Sequence, residues 1–232
     1  MWVILMKVIS LDIETMNLDL RMENIRFGNP FGWKTSCVCI YDGLEEKGYY
    51  YVLNKDKIIQ ELEGVMDDHP VKKQIVDSLY NFSDMESHLE DFFNNDYTLI
   101  SHNGYSFDLP ILSKPISQGG ANLKNILELY TTTNRNIDTC DYLRSLTGYR
   151  FKLQNLIKGI LGDSESKFMD ASYAPKAWNQ KKYLQVLGYC MGDSIYTYQV
   201  YDKVKDTKGF TAIVRHNKKE FPCEVSNVDW WF

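Results

Sequence analysis

Residues 2–15 read WVILMKVISLDIET, a run rich in Val, Ile and Leu that passes straight into Asp12 and Glu14. An apolar run of this kind predicts a buried strand over residues 2–11 that ends in a carboxylate. The strand period of two puts Asp12 and Glu14 on one face. Two carboxylates side by side at a buried strand end repel each other, and a divalent cation such as Mg2+, which prefers oxygen ligands, is their natural counter-charge. The D-x-E spacing alone is common. It recurs at Asp84/Glu86 and Asp163/Glu165 in helical or loop-like surroundings, where a solvated surface pair is the plain reading. The apolar strand is what sets Asp12 and Glu14 apart.

Downstream, residues 17–34 hold Asn, Gly and Pro and read as an irregular connection. TSCVCIY (35–41) and GYYYVL (48–53) read as two strands joined by a turn at Asp42–Gly43. Residues 55–95 carry a helical pattern interrupted near His69–Pro70. In its later part Leu79, Phe82, Met85, Leu89 and Phe92–Phe93 recur at helical spacing. YTLIS (97–101) is a short apolar strand leading into HNGYSFDLPIL, a loop that opens a helix. NIDTCDYL (136–143) reads as a further strand or strand end. Residues 151–204 read as helices with a loop around Asp170–Pro175. Three consecutive strands, then two more among helices, predict an α/β fold with a mixed sheet flanked by helices. The expected organisation is one domain over residues 1–205, with a tail at 206–232 packed on it.

The 232-residue length suits a single α/β domain. With 26 basic and 31 acidic residues and no basic run, the chain is unlike proteins that grip duplex DNA by its phosphates alone. It is compatible with a carboxylate pocket that draws divalent metals, which then attract phosphate. Aromatic content is 14%, enough to supply stacking faces as well as core. The five cysteines form no C-x-x-C pair and are odd in number, so buried thiols are expected and neither disulfides nor zinc. The apolar N-terminus has no basic n-region and is too short to span a membrane. A soluble, intracellular, cytoplasmic protein without membrane contact is therefore expected.

Two further elements carry chemistry. An aromatic residue precedes Asp at Tyr41–Asp42, Phe107–Asp108 and Tyr201–Asp202, but only Asp108 has an Asn (Asn103) five residues earlier and stands at a strand-to-helix junction. There the helix N-terminus is expected to hold Asp108 charged, and the plain alternative is a helix cap. Tyr189 and Asp193 stand four apart on a helix, one turn apart on one face. Tyr80/Asp84 and Tyr198/Asp202 share the spacing, but only Tyr189 and Asp193 have Gly188 and Gly192 beside them. Two glycines cost helix stability, so close packing against a site is expected there. The plain alternative is an amphipathic helix with Tyr189 in the core.

Together, Asp12-Ile-Glu14-Thr, Asn103…Phe107-Asp108 and Tyr189…Asp193 resemble, in order and spacing, the three motifs of the DEDD 3′→5′ exonucleases. Gly188 stands where the histidine subclass has His, so the chain looks like the tyrosine subclass (DEDDy), which includes the proofreading domains of many DNA polymerases. FKLQNLIKGILG (151–162), Trp178 and YLQVLGYCMGDSIYTYQVY (183–201) resemble the run into the third motif, and the likeness covers most of residues 7–202. One departure is Met16-Asn17, where many members have a glycine; it alters the rim of the pocket.

The resemblance implies an RNase H-like sheet and hydrolysis with two divalent ions, Mg2+ or Mn2+, about 4 Å apart. Asp12 would bridge them, Glu14 and Asp193 would complete the first, Asp108 would hold the second largely through water, and Tyr189 would orient the attacking water. Substrates would be single-stranded DNA or RNA 3′ ends, DNA favoured, and products nucleoside 5′-monophosphates. Asn103, Tyr105, Phe107, Met16 and Leu18 are the expected substrate contacts, with Met16 or Leu18 wedged against the terminal base and Tyr105 stacked on a base or sugar. Asp138 is expected to support the site without binding metal, and His102 to hydrogen-bond within its loop. The ending Asp229-Trp-Trp-Phe232 is expected to fold back on the core, with docking into a protein partner as the alternative. No polymerase-like stretch follows the motifs, so any proofreading would act in trans. Two competing readings are a catalytically silent nucleic-acid- or partner-binding module on the same fold, and a structure-selective endonuclease on a related one. The complete set of five site residues counts against the first and Tyr189 against the second.

Overall fold

A computed structural model describes residues 6–26, 29, 32–63, 70–114, 123–162, 169–216 and 219–230. Strand β1 (Val8–Thr15) lies inside a six-stranded sheet. It does not end at the carboxylates: antiparallel pairing with β2 (Thr35–Asp42) carries it past Asp12 and Glu14 to Thr15. Residues 2–5 of the expected strand lie outside the described residues. β3 (Lys47–Val52) completes the antiparallel meander, with the turn after Asp42 as read from the sequence. Helices α1 (Lys55–Glu63) and α2 (Pro70–Asp77) follow; His69, at the expected interruption, falls outside the described residues.

The helical reading of residues 79–81 is wrong. Leu79–Asn81 form β4, which pairs in parallel with β3, before a 3-10 turn and α3 (Met85–Asn94). A three-residue edge strand buries one side chain, Leu79, and gives too little alternation to compete with the helical spacing that follows it. β5 (Thr98–Ser101), α4 (Asp108–Leu112), α5 (Lys124–Thr132) and β6 (Asn136–Asp138) come next. NIDTCDYL splits: the strand stops at Asp138, which caps α6 (Thr139–Thr147) by accepting from the amides of Cys140 and Asp141. α7 (Leu153–Leu156), α8 (Ala174–Asn179) and α9 (Tyr183–Thr207) follow. The expected loop at Asp170–Pro175 is mostly ordered: Asp170 caps a 3-10 turn and Pro175 lies in the first turn of α8. Residues 163–168, with Asp163 and Glu165, lie outside the described residues.

Strand order is β4-β3-β2-β1-β5-β6. β1 pairs antiparallel with β2 and parallel with β5, so the sheet is mixed, as expected, but with one strand more. Ile9, Leu11 and Ile13 point to one face, packed with Leu89, Leu109 and Tyr130 from α3, α4 and α5. The opposite face of β2, through Cys37 and Cys39, packs on Val186, Leu187 and Cys190 of α9. That leaves the even positions of β1, Ser10, Asp12 and Glu14, against α9.

After α9 the tail forms a hairpin, β7 (Gly209–His216) with β8 (Lys219–Ser226). Ala212, Val214, Val225 and Trp230 share a core with α6, α7 and the C-terminal half of α9. The Trp230 indole donates to the Tyr201 carbonyl (3.1 Å), while Trp231 and Phe232 lie outside the described residues. No helix among the described residues is long and apolar enough to cross a membrane.

Candidate metal centre

Hydrogen bonds set α9 against the sheet. The Ser10 hydroxyl donates to the Ser194 carbonyl (2.7 Å), the Ser194 hydroxyl to the Cys39 carbonyl (3.1 Å), and the Cys190 thiol to the Asp12 carbonyl (3.3 Å). These contacts fix the height of α9 over β1 and bring Asp193 to Asp12 and Glu14. One carboxylate oxygen from each of the three lies within 4.8 Å of the others, close to the about 4 Å that opposite ligands of one Mg2+ span. The register between β1 and β2 slips after Glu14, so that Thr15 pairs with Thr35 and Ser36 is the extra residue. A bulge at this point re-aims the strand end beside the carboxylates.

The cluster lines a cleft of about 930 Å³ together with Asp108 and Tyr189. All five residues expected from the sequence therefore border one space. Asp108 stands apart from the trio. Its carboxylate accepts from its own amide and that of Ile13, yet burial first, with Asp138 and Asp193 nearby, pushes its pKa up to about 7. The helix N-terminus does not bring it below the usual carboxylate range: α4 is five residues long, and burial outweighs its short dipole. The Tyr189 phenol is hydrogen-bonded to Asp193, and burial followed by the charges of Asp193, Glu14 and Asp12 raises its pKa far above the usual phenol range. It is a neutral donor at any physiological pH.

The substrate-contact expectations divide. Asn103, Phe107 and Leu18 line the cleft, and Leu18 is 63% exposed. Met16 does not reach it; its backbone is pinned instead, the amide donating to Lys34 and the carbonyl accepting from Asn179. Tyr105 also misses the cleft: its hydroxyl donates to the Asn136 carbonyl (2.7 Å), and the ring borders a separate groove beside α4 and α5. Asn17 is buried and holds the rim together, donating to Glu23 (2.8 Å) and the Gly32 carbonyl (3.1 Å) and accepting from the Lys34 amide (2.7 Å).

Close packing does not explain Gly188 and Gly192. A Cβ at either would meet nothing within 4 Å, because that face of α9 looks into open space. Asp138, as read, supports the site: besides capping α6 it accepts from the amides of Asn103 (2.8 Å) and Tyr105 (2.9 Å) and holds the loop that presents Asp108. The His102 ring does hydrogen-bond, but outside its own loop: it lies 2.9 Å from the Thr139 hydroxyl of α6 and 3.0 Å from the Phe151 carbonyl. The five cysteines are free thiols.

Sequence reasoning missed Trp33 and Arg150. Trp33 packs edge-on against Phe107 (ring centroids 5.0 Å apart) and gives the cleft an aromatic wall. In the sequence it is one of three aromatic residues, with Phe27 and Phe31, in an irregular connection, and nothing there singled it out. Arg150 hydrogen-bonds Asn103 at the cleft's edge, and no spacing announced it. No protein-family model matches the chain, and no curated protein matches it.

Proposed function

We propose that the chain is a metal-dependent 3′→5′ exonuclease of the DEDD type, tyrosine subclass, with its sheet the RNase H-like one. It would release nucleoside 5′-monophosphates from single-stranded nucleic acid, DNA in preference to RNA. The observation that carries the reading is the meeting of Asp12, Glu14 and Asp193, from a strand and a helix far apart in sequence, at one point of an open cleft with the Tyr189 phenol against them. The donor set is all carboxylate, without thiol or imidazole, which suits Mg2+ or Mn2+. Bound there, two such ions would supply Lewis-acid polarisation of the scissile phosphate and a water acidified toward neutrality. The chain's own residues supply the rest. Asp12, Glu14 and Asp193 place negative charge where the cations are needed, and Asp108 adds a carboxylate once its proton leaves. Tyr189, held neutral, donates and orients; it does not abstract the proton. Trp33, Phe107 and Leu18 offer apolar surface to the terminal bases.

The test uses 5′-labelled single-stranded DNA and RNA with Mg2+ or Mn2+, comparing wild type with Asp12→Ala and Asp193→Ala. The expected result is a ladder shortening from the 3′ end, abolished by either substitution or by EDTA. Intact substrate that the wild type still binds would replace this reading with the silent binding module.

A further inference from the structure

The cleft does not end at the carboxylates. A second cavity of about 530 Å³ opens from Asp12 and Asp193, and its walls bear Arg150, Lys152 and Arg215. Arg150 and Lys152 lie in the turn between α6 and α7, whereas Arg215 comes from β7, in the tail beyond the DEDD-like part of the chain. All three are exposed. Among the described residues none of them forms an ion pair with a carboxylate, and Glu220, the cross-strand neighbour of Arg215, is no exception. In a chain of net charge −5, this cavity carries three cations without a salt-bridge partner against two carboxylates, Asp12 and Asp193.

The hairpin is fastened where it meets this cavity. The Asn155 side chain donates to the Ile213 carbonyl (2.6 Å). Gly159, in a π-turn at residues 157–161, lies so close that a Cβ there would stand 2.3 Å from the Thr211 carbonyl oxygen. Ala212 and Val214 are buried on either side of Ile213. Arg215 thus extends from an anchored strand, not from a loose end.

Resting on the nuclease reading above, we infer that the C-terminal hairpin completes the substrate path. Arg150, Lys152 and Arg215 hold backbone phosphates of the strand on the 5′ side of the scissile linkage, while the aromatic cleft takes the terminal bases. Charge complementarity favours this occupant: a phosphodiester backbone carries one anion per nucleotide and suits a row of cations leading away from a metal site. A released mononucleotide would call on only one or two of the three.

The test is fluorescence anisotropy of a 5′-fluorescein-labelled oligothymidylate, titrated with protein in Ca2+ and in EDTA over a series of salt concentrations. Wild type is compared with Arg150→Gln, Arg215→Gln and the control Lys181→Gln, whose ammonium pairs with Glu61 outside the cavity. Arg215→Gln should weaken binding by about 3- to 10-fold and lower the slope of log Kd against log salt by about 0.7, the loss of one phosphate contact. A methylphosphonate at the contacted linkage should cost wild type the same and Arg215→Gln nothing more. Affinity and slope unchanged in Arg215→Gln, with wild type binding normally, would overturn the inference. An equal fold-loss for thymidine 5′-monophosphate, measured by competition, would overturn it in favour of product binding. Wild type that binds and loses affinity in the variant, yet never cleaves, would uphold the groove and sink the exonuclease reading. Wild type that does not bind at all would sink both.

Discussion

The Tyr189 hydroxyl is hydrogen-bonded to the Asp193 carboxylate one turn further along α9, and Asp193 in turn sits within 4.8 Å of Asp12 and Glu14. Tyr189 is therefore coupled to the candidate metal centre through one of its three carboxylates, while its ring stays buried among apolar neighbours. Tyr189→Phe keeps the ring and removes only the donor. The expected outcome is a single-turnover rate lower by about 100-fold, the scale of a positioned proton donor, with Mg2+ affinity little changed. A rate within a factor of two of wild type would remove the phenol from the chemistry.

Asp108 gives the metal-free protein a pH dependence of defined sign. Burial raises its folded pKa to about 7, against about 3.9 in the unfolded chain. The folded state holds this proton more tightly, so the stabilisation is complete below about pH 4 and is lost as pH rises toward about 7, at most on the order of 4 kcal/mol. In EDTA, thermal stability should fall from about pH 5.5 to about pH 8, and Asp108→Asn should flatten the fall. Mg2+ favours the ionised carboxylates, so its stabilising effect should grow over the same interval. A metal-induced shift in Tm that shrinks as pH rises would contradict this account.

Gly188 and Gly192 sit inside α9 with open space where a Cβ would go. Replacing either with Ala should stabilise the protein by up to about 1 kcal/mol through helix propensity, which for a chain of this size is a rise in Tm of about 2–4 °C. Gly159→Ala is the contrast: its Cβ would collide with the Thr211 backbone, and the expected cost is about 1–3 kcal/mol. Calorimetry of the three variants should show opposite signs. If the two α9 variants gain stability but lose cleavage, the open face is a place the substrate occupies.

Thiol reactivity offers a check on packing. Cys37, Cys39 and Cys190 are fully buried between β2 and α9, and Cys140 is nearly so, while Cys223 on β8 is partly exposed. An aromatic disulfide reagent should titrate one thiol per native chain and all five after denaturation. Rapid reaction of three or more in the native protein would mean that α9 lifts from the sheet.

The sequence alone determined the parts of this protein that rest on short-range physics. Asp12 and Glu14 share a face because β1 alternates with period two, and Tyr189 and Asp193 share one because α9 repeats every 3.6 residues. The meander, β5, α4 and the long last helix were legible for the same reason. What needed tertiary structure involved distance in the chain or competition between local forces. β4 exists because β3 offers it an edge to pair with. The Asp108 pKa is raised because burial, which no local pattern records, outweighs one turn of helix dipole. Tyr105 turns to a separate groove, and Trp33 and Arg150 line the cleft, because loop geometry follows from what the loops close against. Arg215 reaches the cavity because a hairpin that begins after α9 folds back beside α7. Periodicity places a residue on a face of its own element; only packing decides what that face meets.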